Sequence, residues 1–170
     1  MSDPDMSDPA GAAWLLELET RSRRQGSGIT GRQLAGHWRL VELWNREARP
    51  QPAQARLLQA LQARLDIQPA GSQVPGEAAG LELRNSVGLG ALELAFQGSG
   101  WLEGRRPLLR FRFAGMQLNL GTWRLWQQNL PAADQGGGPF FALIGTGCDD
   151  QGRWLLARGR GGGLARWRCP

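Results

Sequence analysis

Residues 154–168 read WLLARGRGGGLARWR, and this stretch decides the fold class of the chain. Two runs in which apolar residues alternate with other residues flank a segment that is mostly glycine. Two strands joined by a tight turn have this pattern, because glycine adopts the positive φ angles that hairpin turns require. The stretch therefore predicts the last β-hairpin of an antiparallel sheet.

Two other interpretations of the stretch are weaker. A nucleic-acid-binding arm repeats RGG many times in polar sequence, whereas here a single RGRGGG stands between the alternating runs WLLA and LARW. A phosphate-binding P-loop requires the lysine of the G-x-x-x-x-G-K-[ST] motif, and the chain contains no lysine. A dinucleotide-binding loop would be followed by a helix, which the segment LARWR does not predict.

The sequence from residue 81 onward has the same character, with short strand-like runs separated by glycine or proline. Such spacing is typical of an up-and-down antiparallel sheet that curls and closes into a barrel. A first strand, GHWRLVELW, is predicted at 36–44. The later strands are predicted at 81–87, 90–97, 107–113, 116–126, 139–145, 153–158 and 163–169.

Helical patterns are confined to the first 66 residues. Residues 1–8 are acidic and contain proline, which predicts a flexible tail, and residues 9–28 predict a helix, capped by Asp8, with its linker. Leucines at steps of three or four predict another helix at about 52–66, inserted in a barrel of residues 30–170. The predicted fold class is mostly β with N-terminal helices and one antiparallel barrel.

The charge of the chain restricts the classes of partner. All 20 basic residues are arginine, and the formal net charge is +5. A basic surface favours nucleic acid, an acidic protein or an anionic lipid surface. The N-terminus MSDPDMSDPA lacks the basic and apolar regions of a secretory signal, and no run approaches about 18 apolar residues. We therefore expect a cytoplasmic protein without a transmembrane segment.

Few residues suggest catalysis or metal binding. His37 is the single histidine, and Cys148 and Cys169 form no C-x-x-C motif, so no zinc site is predicted. Cys148 and Cys169 are expected to be free thiols rather than a disulfide. No nucleophile stands in a recognisable catalytic motif, and the pair Asp149-Asp150 is interpreted as a solvated turn. These residues therefore predict neither a metal site nor a cofactor, and they mark no catalytic group.

The segment L-A-G-H-W-R-L-V (34–41) contains G-x-W, which resembles the first strand of lipocalins and related calycin folds. With LELRNSV (81–87) and the arginine–glycine turn within 154–168, the chain resembles the cyanobacterial plastid lipid-associated proteins, or fibrillins, over residues 30–168. Two positions depart from that family. Trp44 stands where fibrillins usually have tyrosine, and Arg153-Trp154-Leu155 replaces an acidic position before the late turn.

The resemblance implies a non-catalytic, lipocalin-like (calycin) barrel that acts around thylakoid membranes or lipid droplets. Its expected ligand is a small apolar molecule such as a lipid, prenylquinone or carotenoid. It implies that Trp38 closes the barrel floor and that Arg166 or Arg168 packs over it. Arg158 and Arg160 in the turn would face anionic lipid. Eight tryptophans could either fill the barrel or line a cavity. The predicted ligand-binding residues are Trp38, Leu40, Leu83, Phe96, Phe111, Phe113, Leu118, Trp123, Phe141 and Trp154.

Two hypotheses from other classes remain open. Barrels of this kind include lyases that attach bilins to phycobiliproteins, and here arginines would hold the tetrapyrrole. A basic barrel of the OB type would bind nucleic acid, with an affinity that falls steeply with salt.

Overall fold

The computed structural model describes residues 9–71, 80–131 and 138–169, and these residues are mostly antiparallel β-structure with N-terminal helices. The helices are α1 (Pro9–Gln25), α2 (Gly31–Leu34) and α3 (Pro52–Ala60). The strands are β1 (Gly36–Trp44), β2 (Arg64–Pro69), β3 (Leu81–Leu89), β4 (Leu92–Glu103), β5 (Leu108–Leu120), β6 (Trp123–Asn129), β7 (Phe140–Asp149), β8 (Gly152–Gly159) and β9 (Leu164–Cys169). The predicted tail, residues 1–8, lies outside the described residues.

The strands are arranged as a ring. Their order in the sheet is β4-β3-β2-β1-β9-β8-β7-β5-β6, and β4 also pairs with β5. Eight strands therefore complete the ring, while β6 extends from β5 as an edge strand. At the end of the chain, β8 pairs with β9 from Arg153 opposite Cys169 to Arg158 opposite Leu164. The hairpin predicted from residues 154–168 is confirmed.

The inserted helix is shorter than the sequence predicts. It ends at Ala60, and residues 64–69, partly assigned to the helix, form β2 between β1 and β3. Gln62 adopts a positive φ of 48° and reverses the chain after the helix. The leucine spacing continues through this reversal, but Leu65 and Ile67 are buried at a strand's interval of two.

The predicted break at Ala114-Gly115 is also absent, because β5 continues from Leu108 to Leu120. The register of β4 against β5 shifts between Gln97 and Gly98, which face Gly115 and Phe113. This β-bulge takes up the extra residue and bends the strand without ending it. Ala114 and Gly115, which separate two predicted strands, therefore lie at a bend within one strand.

Alternation along the strands separates two apolar clusters. The main core lies on the inner face of the ring and includes Trp38, Leu109, Leu143 and Leu155. The second cluster lies on the outer face of β7, β8 and β9, where α1 packs through Leu15. None of the described helices is long and apolar enough to cross a membrane.

Candidate functional site

Trp38 of the G-x-W segment is fully buried at one corner of the ring, with 0% of its surface exposed. Its indole Nε1 donates a hydrogen bond to the Leu34 carbonyl at 2.7 Å, which joins α2 to β1. The guanidinium carbon of Arg153 lies 5.2 Å from the centre of the indole ring, within range of a cation–π interaction. Arg153 Nη2 also donates to the Ala35 carbonyl at 2.8 Å. This corner is therefore closed by side chain and backbone together.

Gly36 provides the space for this arrangement. Its φ of +151° is rare for residues with a side chain, and a Cβ there would lie 2.5 Å from Arg153 Nη2. The same Cβ would lie 2.9 Å from the sulfur of Cys169. The glycine of G-x-W therefore has a steric role beside the arginine that covers the tryptophan.

The arginine over Trp38 is Arg153, not Arg166 or Arg168 as the resemblance implies. Inward-facing positions of β9 are occupied by Ala165, Trp167 and Cys169, so Arg166 and Arg168, which alternate with them, point outward. Arg153 lies opposite Cys169 on β8 and shares its inward face. The predicted arginines both lie on the terminal strand β9, whereas the arginine that points inward lies on β8.

Arg166 and Arg168 instead form an outer ion-pair network. Arg168 donates to Asp149 at 2.5 Å, and Arg166 lies 3.4 Å from the same carboxylate and 3.3 Å from that of Glu42. The guanidinium of Arg166 also lies 5.8 Å from a Trp154 ring centre. Asp149, expected in a solvated turn, is therefore a half-buried partner of two arginines.

Four of the predicted ligand-binding residues form one aromatic chain. Phe111 lies 5.2 Å from Phe141 and 5.3 Å from Phe113, measured between ring centres, and Phe113 lies 5.5 Å from Phe96. Phe111 is buried in the main core, and the other three rings are partly exposed. The chain of rings therefore leads from the core toward solvent.

The apolar inner face continues beyond the aromatic chain in two cross-strand rows. The first row contains the predicted residue Leu118, between Leu94 and Trp126, and ends at Val87 on β3. The second is the tip row, in which each residue faces the next on a neighbouring strand and all four are exposed. Its members are Leu89, Leu92, Leu120 and Trp123.

Three of the four tip-row residues, all except Trp123, were not predicted as site residues, although each immediately precedes or follows a turn. The other predicted residues are scattered. Leu40 and Leu83 are buried in the main core with Trp38. Trp154 belongs to the outer cluster, where its ring meets that of Trp14 edge-on at 5.9 Å. The structure thus gathers the phenylalanines but places Trp154 on the opposite face of the sheet.

A buried carboxylate forms a further cluster that the sequence did not reveal. Glu19 of α1 is 4% exposed. Arg158 binds both of its oxygens, at 2.8 Å and 2.6 Å, and Nη2 atoms of Arg23 and Arg106 lie 2.9 Å and 3.2 Å away. Burial alone would raise the pKa of Glu19, but the arginines outweigh it and lower that pKa to about 2. Only the Glu19–Arg23 spacing of four residues is visible in the sequence.

The single histidine and the two cysteines are the remaining candidate residues from the sequence. His37 Nδ1 lies 2.7 Å from the Asp66 carboxylate on the neighbouring strand, and His37 is exposed. Cys148 and Cys169 are free thiols, the first exposed and the second buried. The described residues contain no group of three or more histidine, cysteine or acidic side chains that could hold a metal ion.

Comparison of the chain with protein-family models, curated proteins and solved structures finds no match. The resemblance to fibrillins, which rests on 34–41, 81–87 and 154–168, stays a prediction. The geometry of the ring and its two faces is therefore the basis for a functional proposal.

Proposed function

We propose that this chain is a non-catalytic, lipocalin-like barrel that binds a small apolar ligand, such as a lipid, prenylquinone or carotenoid. The observation that carries the proposal is the aromatic chain of Phe96, Phe113, Phe111 and Phe141 on the inner face of the ring. Three of its rings are only partly buried, so they offer apolar surface that a ligand could cover. Ligand sites are commonly lined by such apolar and aromatic side chains.

Burial on this face would supply the binding energy. Covering one phenylalanine side chain is worth about 1.5–3 kcal/mol, which corresponds to roughly tenfold or more in affinity. The buried core around Trp38 supports the proposal, because it gives the partly exposed rings a packed base. A ligand would therefore lie on β4 and β5, between the core and the tip row.

We place contact with a photosynthetic membrane at the tip row. Leu89, Leu92, Leu120 and Trp123 adjoin one another across four strands and are exposed to water in the free chain. Tryptophan favours the interface of a bilayer, and a contiguous exposed apolar patch marks an interaction surface. The net charge of +5 favours anionic lipid. An apolar ligand could then pass between bilayer and barrel along one continuous face.

The proposal is tested by ligand binding to the purified chain. Titration with a short-chain prenylquinone should quench tryptophan fluorescence in a saturable manner. Replacing Phe96 with alanine should weaken that binding about tenfold. The matched control is Phe140→Ala, because Phe140 is also half-buried but lies on the outer face, against Arg110.

Two results would contradict this function. One is equal weakening by the two phenylalanine variants, which would place binding outside the inner face. The other is the absence of saturable quenching, together with no lipid, quinone or pigment in organic-solvent extracts of natively purified protein.

A further inference from the structure

A cleft lies on the outer face of the ring, between α1 and the glycine-rich turn that joins β8 to β9. Its volume is about 640 Å³, which is large enough for a small organic molecule. Leu16 of α1 borders it, and Leu108 and Phe140 line its apolar side. The cleft is separate from the aromatic chain, because Phe140 and Phe141 point to opposite faces of β7.

The walls of this cleft are strongly basic. Five arginines line it, and each comes from a different segment of the chain. Glu19 is the single acidic residue among the lining residues. The five arginines are Arg23 on α1, Arg46 after β1, Arg106 between β4 and β5, Arg158 on β8 and Arg160 in the β8–β9 turn.

Glu19 does not use all the donors that these arginines offer. Its two oxygens are occupied by Arg158, Arg23 and Arg106, but each guanidinium carries five N–H groups. The Nε atom of Arg106 is buried and has no hydrogen-bond partner among the described residues. The exposed side chain of Arg46 likewise makes no hydrogen bond or ion pair within them. A buried donor without an acceptor is costly, so a missing acceptor is the simplest explanation.

We propose that the cleft binds the phosphate or diphosphate group of a small molecule whose apolar part lies against Phe140. Phosphate oxygens match the planar fork of donors on arginine and carry the multiple negative charge that this wall would neutralise. The ionised Glu19 holds Arg158 and Arg106 in place, and Arg46 and Arg160 close over the ligand from the surface. This site is independent of the apolar-ligand proposal, since it lies on the other face of the sheet.

The experiment is a calorimetric titration with pyrophosphate at about 0.15 M salt, where long-range charge effects are screened. The test variant is Arg46→Gln/Arg160→Gln, and the control is Arg32→Gln/Arg56→Gln, which removes two exposed arginines elsewhere. We expect the test variant to weaken binding at least about tenfold and the control to change it less than about twofold. Prenylquinone quenching should be the same in both variants, so failure here is distinct from failure of the apolar site.

Vesicles of phosphatidylcholine with phosphatidic acid identify the source of the phosphate. Selective loss of pyrophosphate binding in the test variant supports a soluble phosphorylated ligand. Selective loss of vesicle binding alone supports a lipid headgroup in the same cleft, since the tip row is intact in both variants. Equal effects of the two double variants on both probes, or no binding of either probe by the native chain, would overturn the proposal.

Discussion

The tripeptide Trp-Arg-Leu occurs in two strands of this chain, and the two copies have opposite environments. In β1, Trp38 is 0% exposed and Leu40 is buried beside it. In β6, Trp123 is 74% exposed and Leu125 is also exposed. The local sequence is the same, so the difference must come from the neighbouring strands.

The neighbours explain the difference. β1 has β2 on one side and β9 on the other, whereas β6, among the described strands, is hydrogen-bonded to β5 alone and lies at the edge of the sheet. Trp38 also faces a guanidinium from β8 and a carbonyl from α2, whereas Trp123 lies opposite Leu120, itself exposed. Burial of an aromatic ring is therefore decided by the position of its strand in the ring. The exposure of Trp123 agrees with the membrane contact proposed for the tip row.

The largest expected effect is the difference in stability between replacing Trp38 and replacing Trp123. Trp38→Ala should lower the free energy of unfolding by about 3–5 kcal/mol, because it leaves a cavity and frees the Leu34 carbonyl. Trp123→Ala should change it by less than about 0.5 kcal/mol. Urea denaturation of both variants measures the difference.

The same pair of variants also tests the role of the exposed copy. Trp123→Ala should reduce co-sedimentation with vesicles that contain an anionic lipid, while its stability is unchanged. A large loss of stability in Trp123→Ala would mean that the ring is packed against another surface, and the comparison of the two tripeptides would fail.

Sequence patterns predicted those features of the fold that depend on neighbouring residues. The strand at 36–44 and the final hairpin follow from alternation and glycine placement. β2 was missed because the leucine spacing of α3 extends without a break to Leu65. The covering arginine was misassigned because inward direction depends on the register between β8 and β9. The basic cleft was not visible, since Arg106 and Arg158 lie 87 and 139 positions from Glu19.

Glu19 extends the comparison to the outer face of the ring. There α1 covers part of the sheet, whereas β6 is exposed along its whole length. Glu19→Gln should lower the free energy of unfolding at neutral pH by about 2–3 kcal/mol, less than a fully buried pair would lose. The reason is that Arg23 and Arg106 are partly exposed and can regain water. Denaturation with urea at pH 7 checks the change.

The pH dependence of the same variant has a defined direction. Burial opposes ionisation of Glu19, but Arg158 and Arg23 bind the ionised form and lower its pKa from 4.5 to about 2. The ionised carboxylate therefore stabilises the folded state. This stabilisation is complete above about pH 4.5 and is lost as the pH falls toward 2. The native chain should therefore lose more stability than Glu19→Gln over that interval. Parallel stability curves for the two proteins would show that α1 is not held by this carboxylate.

The smallest expected effect concerns the contact that distinguishes the buried tripeptide, Arg153 beside Gly36. Gly36→Ala adds a Cβ that would lie 2.5 Å from the guanidinium, so Arg153 must leave the Trp38 ring or the backbone must shift. In an Arg153→Met background the added methyl meets a side chain without that guanidinium, so the costs that remain are the positive φ and the close approach to the Cys169 sulfur.

A double-mutant cycle isolates this contact. Gly36→Ala should destabilise the native chain by about 0.5–1.5 kcal/mol more than it destabilises Arg153→Met, and urea denaturation of the four proteins gives the coupling. Equal costs in the two backgrounds would mean that the glycine is required for its φ and for the space beside Cys169, not for the approach of Arg153. The packing around Trp38 would then not depend on Arg153. The arginine would not explain why the tripeptide in β1 is buried and the one in β6 is exposed.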